Sequence, residues 1–189
     1  GRPNAPKKPS YMVATTMLNR STVMQNLIND LATKFPNIRF SPAQKFYWSP
    51  ETSEIFYQQN AKGVKAVWSL LHETGHALLN HQNYQADYEL LRLEVAAWER
   101  AKQIAQDFNI EIEEEHIQDC LDTYRDWLYK RSICPNCNTK CLQQGDFVHY
   151  RCFNCHTRWR VSSNRFNRSY RSTKPASAEM SLPAFYNTK

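Results

Sequence analysis

The chain has 189 residues, of which 41% are hydrophobic and 13% aromatic, a composition that predicts one main domain with a small appendage. No run approaches 18 apolar residues, and the basic, proline-rich N-terminal stretch lacks the apolar segment of a signal peptide, so we expect no contact with a membrane. The net charge of +6 is uneven, because residues 11–129 carry an excess of acids and residues 130–174 a strong excess of basic residues.

The N-terminal part of the sequence predicts an arm followed by a helix. Residues 1–20 contain several prolines and basic residues and predict a flexible arm. Thr22 and Gln25 have the spacing of a capping-box pair, which predicts that the first helix begins at Thr22. Pro36 lacks a backbone donor and predicts the end of that helix.

The middle of the chain predicts strands and then longer helices. Residues 38–58 are rich in aromatic and β-branched residues and predict two or three short antiparallel strands, with 45–48 and 54–58 as a hairpin. Apolar residues then recur at helical spacing. This spacing predicts three helices at about 62–80, 86–108 and 112–130.

The segment HETGH, residues 72–76, has the spacing of a zinc-binding motif on the first of these longer helices. A helical period places His72 and His76 on one face, one turn apart, where two imidazoles can share a zinc ion. Glu73 then lies at the flank of that face, where it can act as the general base for an attacking water. The alternative is a helix whose two histidines are hydrogen-bonded and bind no metal.

Glu94 is the candidate third ligand. It falls in the middle of the apolar stripe of the next predicted helix, and a carboxylate that faces the core is costly unless it is paired or binds a metal. Catalytic zinc sites have three protein ligands and keep one position open. Asp87 ranks second for this place and His81 third, and a buried ion pair is the alternative for Glu94. Tyr84 and Tyr88 are candidates to stabilise an oxyanion in the transition state.

A short sheet, then HETGH on a helix, then LEVAAWERA on the following helix resembles the gluzincin metallopeptidases, most of all the ImmA/IrrE-like proteases. The resemblance covers about residues 38–108. It implies that His72, His76 and Glu94 bind zinc and that Glu73 is the base. The SprT-like proteases are the rival, because they also join an HExxH domain to a C-terminal zinc ribbon. Their third ligand is a histidine well downstream, and this chain has none between His81 and His116.

The cysteines predict a second, structural zinc site. Five of the six cysteines fall close together, which is typical of metal binding in a reducing compartment and predicts a cytoplasmic protein. Two Cys-x-x-Cys pairs predict a closed four-thiolate zinc ribbon formed by Cys134, Cys137, Cys152 and Cys155. Cys141 is expected to be a free thiol and Cys120 a small buried residue.

The ribbon is surrounded by basic and aromatic residues, which suit phosphates and stacked bases. The candidate nucleic-acid contacts are Arg151, Arg158, Trp159 and Arg160, and Phe147, Tyr150 and Phe153 are interleaved with them. A protein-docking module with a solvated basic tail fits this composition equally well.

These patterns predict an α+β protein in which a small antiparallel sheet packs on a zincin-type helical domain, followed by a zinc ribbon. We expect a zinc-dependent metalloendopeptidase with one catalytic and one structural zinc, recruited by its ribbon to nucleic acid or to a partner. The alternatives are a nucleic-acid-binding or interaction protein with a non-catalytic HExxH helix, and a zinc amidohydrolase acting on a non-protein amide. The predicted boundaries are 1–20 for the arm, 21–131 for the metallopeptidase domain, 132–161 for the ribbon and 162–189 for a basic, disordered tail.

Overall fold

The computed structural model describes residues 20–161 and 171–173, with side chains described for residues 23–161. The predicted arm except its last residue, Arg20, and most of the predicted tail lie outside these residues. The described part contains four helices and six strands, which confirms the predicted α+β class. The helices are α1 Arg20–Lys34, α2 Val64–Leu78, α3 Asp87–Asp107 and α4 Glu114–Ser132. The strands are β1 Arg39–Ala43, β2 Tyr47–Ser49, β3 Glu54–Gln58, β4 His149–Arg151, β5 Arg158–Val161 and β6 Arg171–Thr173.

The chain divides into two compact units, and the division falls after Tyr124, inside α4. The first unit contains α1 to α3, the sheet of β1 to β3 and the first turns of α4. The second unit contains the rest of α4 and the sheet of β4 to β6. None of the described helices has both the length and the hydropathy that a bilayer-spanning segment requires.

The sheet of the first unit has the strand order β1-β3-β2, and it is mixed. The predicted hairpin is confirmed, since β2 pairs with β3 in antiparallel fashion. The prediction of an antiparallel sheet is wrong for β1, which runs parallel to β3 along its whole length. The physical reason is the position of β3: the chain reverses between β1 and β2 and again in the hairpin, and β3 then lies between them, so it runs in the direction of β1. Pro42 lacks a backbone donor, and it is accommodated because β1 is an edge strand.

The core of the first unit lies between this sheet and the helices. From α1 it takes Met24, Leu27, Ile28 and Leu31, whereas Val23 is exposed. The apolar stripes of α2 and α3 face each other, and Leu70, Leu71, Ala101 and Ile104 are almost fully buried. This packing brings the middle of α3 against the HETGH segment of α2.

Gly75 allows the backbones of α2 and α3 to approach closely. A β-carbon on this residue would lie 2.4 Å from the carbonyl oxygen of Ala97 and 3.4 Å from the backbone nitrogen of Ala101. No side chain larger than hydrogen fits there without a backbone shift. The close approach explains why a helix-weakening residue stands in the middle of α2.

The second unit has its own small core. Its sheet has the order β4-β5-β6, with both pairs antiparallel. Tyr150 and Trp159 stack with ring centroids 5.6 Å apart, and Val161 and Cys152 are buried with them. The strand β6 lies inside the segment predicted to be disordered, so that prediction is wrong for residues 171–173, which pair with β5.

Candidate metal centres

His72, His76 and Glu94 bring their ligand atoms together between α2 and α3. The Nε2 atom of His72 lies 3.1 Å from Oε2 of Glu94 and 3.1 Å from Nε2 of His76. The Nε2 atom of His76 lies 3.7 Å from Oε1 of Glu94. One ligand atom from each residue lies within 4.8 Å of the other two, so the group could hold a metal ion. We call these three residues the three-donor group.

Burial and charge set the ionisation of this group. Only 6% of the surface of Glu94 is exposed, in the middle of the apolar stripe of α3. Burial acts to raise the pKa of Glu94, but the hydrogen bond with His72 and the nearby ring of His76 outweigh it and hold that pKa well below its usual range. Glu94 is therefore an ionised carboxylate that faces two imidazole nitrogens.

The donor chemistry fits a divalent cation. Two imidazole nitrogens and a carboxylate oxygen are typical ligands of zinc and of related transition metals. The Nε2 atoms of His72 and His76 point at each other as well as at Glu94, an arrangement in which a shared cation satisfies all three groups. The Nδ1 atom of His72 is buried and has no hydrogen-bond partner among the described residues, so its ring is held by the donor group and by packing. The ring of Trp98 provides that packing, 4.2 Å away between centroids.

Glu73 lies beside the three-donor group and is held by the sheet. Its Oε2 atom accepts a hydrogen bond of 2.9 Å from the backbone nitrogen of Trp48 in the edge strand β2. Burial is the largest influence on Glu73 and raises the pKa of its carboxyl above the usual value, although His72 and His76 act to lower it. A carboxyl with a raised pKa is a better proton acceptor than an ordinary glutamate.

His81 contacts the three-donor group from outside. Its Nδ1 atom lies 2.8 Å from Nδ1 of His76. Burial, followed by the positive potential of His76, lowers the pKa of His81 to about 4. The carbonyl oxygen of His81 accepts a hydrogen bond of 3.0 Å from Nε1 of Trp48. His81 is therefore a neighbour of one donor, not a member of the group.

The remaining candidates for this site are not members of the three-donor group. Asp87 is buried at the start of α3 with contacts of its own, and it does not belong to the group. Tyr84 is half-buried and also has contacts of its own. Tyr88 is 62% exposed. The role of the tyrosines as transition-state stabilisers stays a prediction.

The four predicted cysteines also converge. The Sγ atoms of Cys134 and Cys155 are 3.5 Å apart, and those of Cys137 and Cys152 are 3.4 Å apart. All four sulfur atoms lie within 4.8 Å of one another, so the cluster could hold a metal ion. The cysteines are free thiols, not disulfides.

The four cysteines stand on two loops of the same construction. In each loop the backbone nitrogen of the first cysteine donates to the carbonyl of a threonine five residues later, from Cys134 to Thr139 at 2.9 Å and from Cys152 to Thr157 at 2.8 Å. Each loop also contains a residue with a positive φ, and these are Asn138 at 58° and His156 at 60°. The repeated loop explains how a short sequence directs four sulfur atoms to one point.

The two other cysteines stand outside this cluster. Cys141 is buried, as expected of a spare thiol, and its Sγ atom donates to the carbonyl of Thr139 at 3.3 Å. Burial raises the pKa of Cys141 to about 11, so its thiol stays protonated at neutral pH. Cys120 is half-buried, less than the sequence predicts, and lies 3.7 Å from Nε2 of His116.

The basic and aromatic residues of the ribbon divide between its surface and its core. Arg151, Arg158 and Arg160 are exposed, and Arg158 donates to Asp146 at 2.9 Å. Trp159 is 1% exposed, and its Nε1 atom donates to the carbonyl of Arg131 at 3.0 Å. The prediction that Trp159 contacts nucleic acid is therefore wrong, because its ring is a core residue.

The same division applies to the other aromatic residues of the ribbon. Tyr150 is buried against Trp159 and offers no surface for stacking, whereas Phe147 is exposed and Phe153 is 70% exposed.

Trp48 is a residue of the first site that the sequence did not single out. Its backbone nitrogen donates to Glu73, and its indole nitrogen donates to the carbonyl of His81. No sequence pattern signals such contacts.

We compared the chain with known proteins by sequence and by structure. No protein-family model, no curated protein and no solved structure matches it.

Proposed function

We propose that this chain is a zinc-dependent metallopeptidase of the gluzincin type, most similar to the ImmA/IrrE-like proteases, and that it hydrolyses a protein substrate. The observation that carries the proposal is the position of Glu73. Its carboxyl lies beside the three-donor group and is anchored at one oxygen by Trp48. Three donors with a carboxyl at their flank are the parts that metal-assisted hydrolysis of an amide requires.

His72, His76 and Glu94 would hold the zinc ion, which when bound would act as a Lewis acid toward the scissile carbonyl and an attacking water. The Oε2 atom of Glu73 is occupied by the Trp48 hydrogen bond, so its Oε1 atom would accept the proton of that water. The raised pKa of Glu73 also suits the second transfer, in which the same oxygen hands the proton to the leaving amine. The ring of Trp98 packs against the ring of His72 and restrains its orientation.

The experiment compares wild type with Glu73→Gln on an unfolded protein substrate. Both proteins are expected to bind the same amount of zinc, and cleavage is expected only in wild type, because the amide cannot accept a proton. Glu99→Gln, an exposed position on α3, is the matched control and should cleave like wild type. Equal cleavage by wild type and Glu73→Gln would overturn the role of Glu73.

A second candidate activity, nucleic-acid binding by the ribbon, is supported by one face of its sheet. In the antiparallel pair of β4 and β5, Arg151 lies opposite Arg158 and His149 lies opposite Arg160. Side chains on a strand alternate, and Tyr150 and Trp159 face the core, so the basic residues share the outer face. Such a face suits the phosphates of a single strand.

The test of this second candidate is the affinity for a single-stranded oligonucleotide at several salt concentrations. The double variant Arg151→Gln with Arg160→Gln should bind more weakly, and its dependence on salt should be shallower by about 0.7 per lost phosphate contact. Lys62→Gln removes a positive charge elsewhere and should change neither quantity. Binding that is equally strong in the double variant would exclude this face as the contact.

A further inference from the structure

The geometry points to His81 and Trp48 as positioning residues of the candidate hydrolytic site, an inference that rests on the proposed function. His81 holds the ring of His76 so that its Nε2 atom faces the other donors. Trp48 holds His81 and Glu73 together through two separate hydrogen bonds. Neither residue belongs to the HExxH motif or to the three-donor group.

The first step concerns the ring of His76. An imidazole that binds a metal through Nε2 keeps its hydrogen on Nδ1, and a partner at Nδ1 fixes both the tautomer and the ring orientation. The Nδ1 atom of His81 stands 2.8 Å from Nδ1 of His76, at the position of such a partner. His81 accepts that hydrogen when its own proton is on Nε2. The neutral His81 ring is therefore the hydrogen-bond acceptor that a carboxylate or a carbonyl provides in many metal sites.

The second step concerns the position of His81 itself. It lies just after the end of α2, where a side chain would otherwise be poorly restrained. Its backbone nitrogen donates to the carbonyl of His76 at 3.1 Å, and its carbonyl accepts from Nε1 of Trp48 at 3.0 Å. Both backbone groups of His81 are thus bonded, and the ring is directed at His76.

The third step concerns Trp48, which reaches two elements of the site at once. Its backbone nitrogen donates to Oε2 of Glu73 at 2.9 Å, and its indole nitrogen donates to His81. Trp48 pairs with the fully buried Ile55 of β3, so the sheet fixes its position. The spacing between the proton acceptor and the His76–His81 pair is therefore set by one residue of an edge strand.

His72 provides an internal contrast. Its Nδ1 atom has no hydrogen-bond partner among the residues whose side chains are described, and its ring is held by packing against Trp98. Of the two histidines, His76 is the one with a polar partner at Nδ1. Removal of His81 should therefore release the orientation of His76 and leave that of His72 unchanged.

The test measures metal affinity and hydrolysis in wild type, His81→Ala and His81→Asn. Zinc affinity of the three-donor group is obtained by competition with a chelator while the cysteine cluster stays loaded. Cobalt substitution separates the two sites, because only thiolate ligands give a sulfur charge-transfer band. His81→Ala should lower the affinity of the three-donor group by about 10- to 100-fold, the usual effect of losing an outer partner. His81→Asn places an amide oxygen where Nδ1 stood and should recover most of the affinity.

The kinetic result should separate positioning from substrate binding. At saturating zinc, His81→Ala should lower kcat and leave KM within about twofold, since a positioning residue acts through His76 and not through contact with the substrate. Trp48→Phe keeps the backbone hydrogen bond to Glu73 and removes the indole bond to His81. It should therefore weaken zinc binding in the same direction as His81→Ala.

Failure of the positioning role can be told apart from failure of the proposed function. If wild type binds zinc at the three-donor group and hydrolyses protein, but His81→Ala and His81→Asn both match it, the positioning role is overturned and the proposed function stands. If wild type binds no metal at that group, the proposed function is overturned, and the positioning role that rests on it is overturned as well. Should His81→Ala not fold, an affinity of His81→Asn as low as that of Trp48→Phe would overturn the inference, since an amide oxygen should accept the His76 hydrogen.

Discussion

Four cysteines in one unit and the three-donor group in the other each place their donor atoms within 4.8 Å of one another, but they depend on different parts of the fold. The cysteines stand on two short loops whose hydrogen bonds span only a few residues. The three-donor group joins residues 22 apart on two helices, and His72 reaches Glu94 only because α2 and α3 pack closely.

Local hydrogen bonds position the sulfur atoms of the cysteine cluster, whereas packing between two helices positions the donor atoms of the three-donor group. The loops of the cysteine cluster are repeated, so its geometry follows largely from sequence nearby. The three-donor group is a feature of helix packing, and its three donors would leave one position of a tetrahedral ion open. Four protein ligands with no open position suit a structural ion, whereas three protein ligands with one open position suit catalysis. Substitutions in one unit should therefore leave the metal of the other unit in place.

Loss of the cysteine cluster should have the largest effect. Cys152→Ser removes a fully buried sulfur atom of the cluster. Zinc binding in structural sites contributes about 10–16 kcal/mol, and this binding free energy is also folding free energy. Residues 133–161 should become sensitive to limited proteolysis, detected by mass spectrometry, while the first unit stays resistant. Cys120→Ser is the control outside the cluster. Equal resistance in both variants would mean that the stacking of Tyr150 on Trp159, not the metal, holds the ribbon.

The next largest effect should come from a substitution in the core of the ribbon, compared with one on its surface. Trp159→Ala removes a buried ring and a hydrogen bond and should cost about 3–5 kcal/mol of unfolding free energy. Phe153→Ala, at a position 70% exposed, should change it by about 0.5 kcal/mol or less. Amide hydrogen exchange in β4 and β5 of the zinc-loaded protein measures both. A similar loss in the two variants would contradict the assignment of Trp159 to the core.

Gly75→Ala tests the dependence of the three-donor group on helix packing. The added β-carbon would stand 2.4 Å from the carbonyl oxygen of Ala97, so α2 and α3 must separate. We expect a loss of about 1–3 kcal/mol, more than the gain in helix propensity of about 1 kcal/mol, and weaker zinc binding by this group alone. Thermal unfolding and chelator competition measure the two effects.

The control for this substitution is Gly145→Ala in the ribbon, where an added β-carbon meets nothing within 4 Å. It should leave both stability and zinc affinity at the wild-type level. If Gly75→Ala behaves like this control, the close approach of α2 to α3 does not position His72 and Glu94.

The smallest effect concerns the start of α3. Glu89 accepts hydrogen bonds from the backbone nitrogens of Ala86 and Gln85, and these bonds lower its pKa. A carboxyl whose pKa is lower in the folded chain stabilises the fold at pH values above its pKa in the unfolded chain, about 4.3. This stabilisation is lost as the pH falls through the pKa in the folded chain. The difference in melting temperature between wild type and Glu89→Gln should thus shrink below about pH 4. A difference that grows with acidity would have the wrong sign.

Local patterns were sufficient to predict much of the candidate site. Helical spacing places His72 and His76 on one face of α2, and the apolar stripe of α3 marks Glu94 as a carboxylate turned inward. Two repeated Cys-x-x-Cys loops likewise predict the sulfur cluster. In each case the relevant residues belong to one regular element or one repeated loop, so their directions follow from the period of the chain.

Other features depend on contacts that no local pattern encodes. Strand order in the first sheet depends on the insertion of β3 between β1 and β2, a long-range pairing that the sequence of each strand does not specify. The two hydrogen bonds of Trp48 cross from a sheet to a helix end. The error on Trp159 was avoidable, because β5 alternates arginine with apolar residues and thereby indicates that the tryptophan faces inward.

Metal content after dialysis tests the central claim most directly, that Glu94 completes a metal site with His72 and His76. Wild type should retain two zinc ions per chain, one in the three-donor group and one in the cysteine cluster. Glu94→Gln keeps the shape of the side chain and removes its charge, and it should retain one. One zinc ion in both proteins, or two in both, would contradict the account.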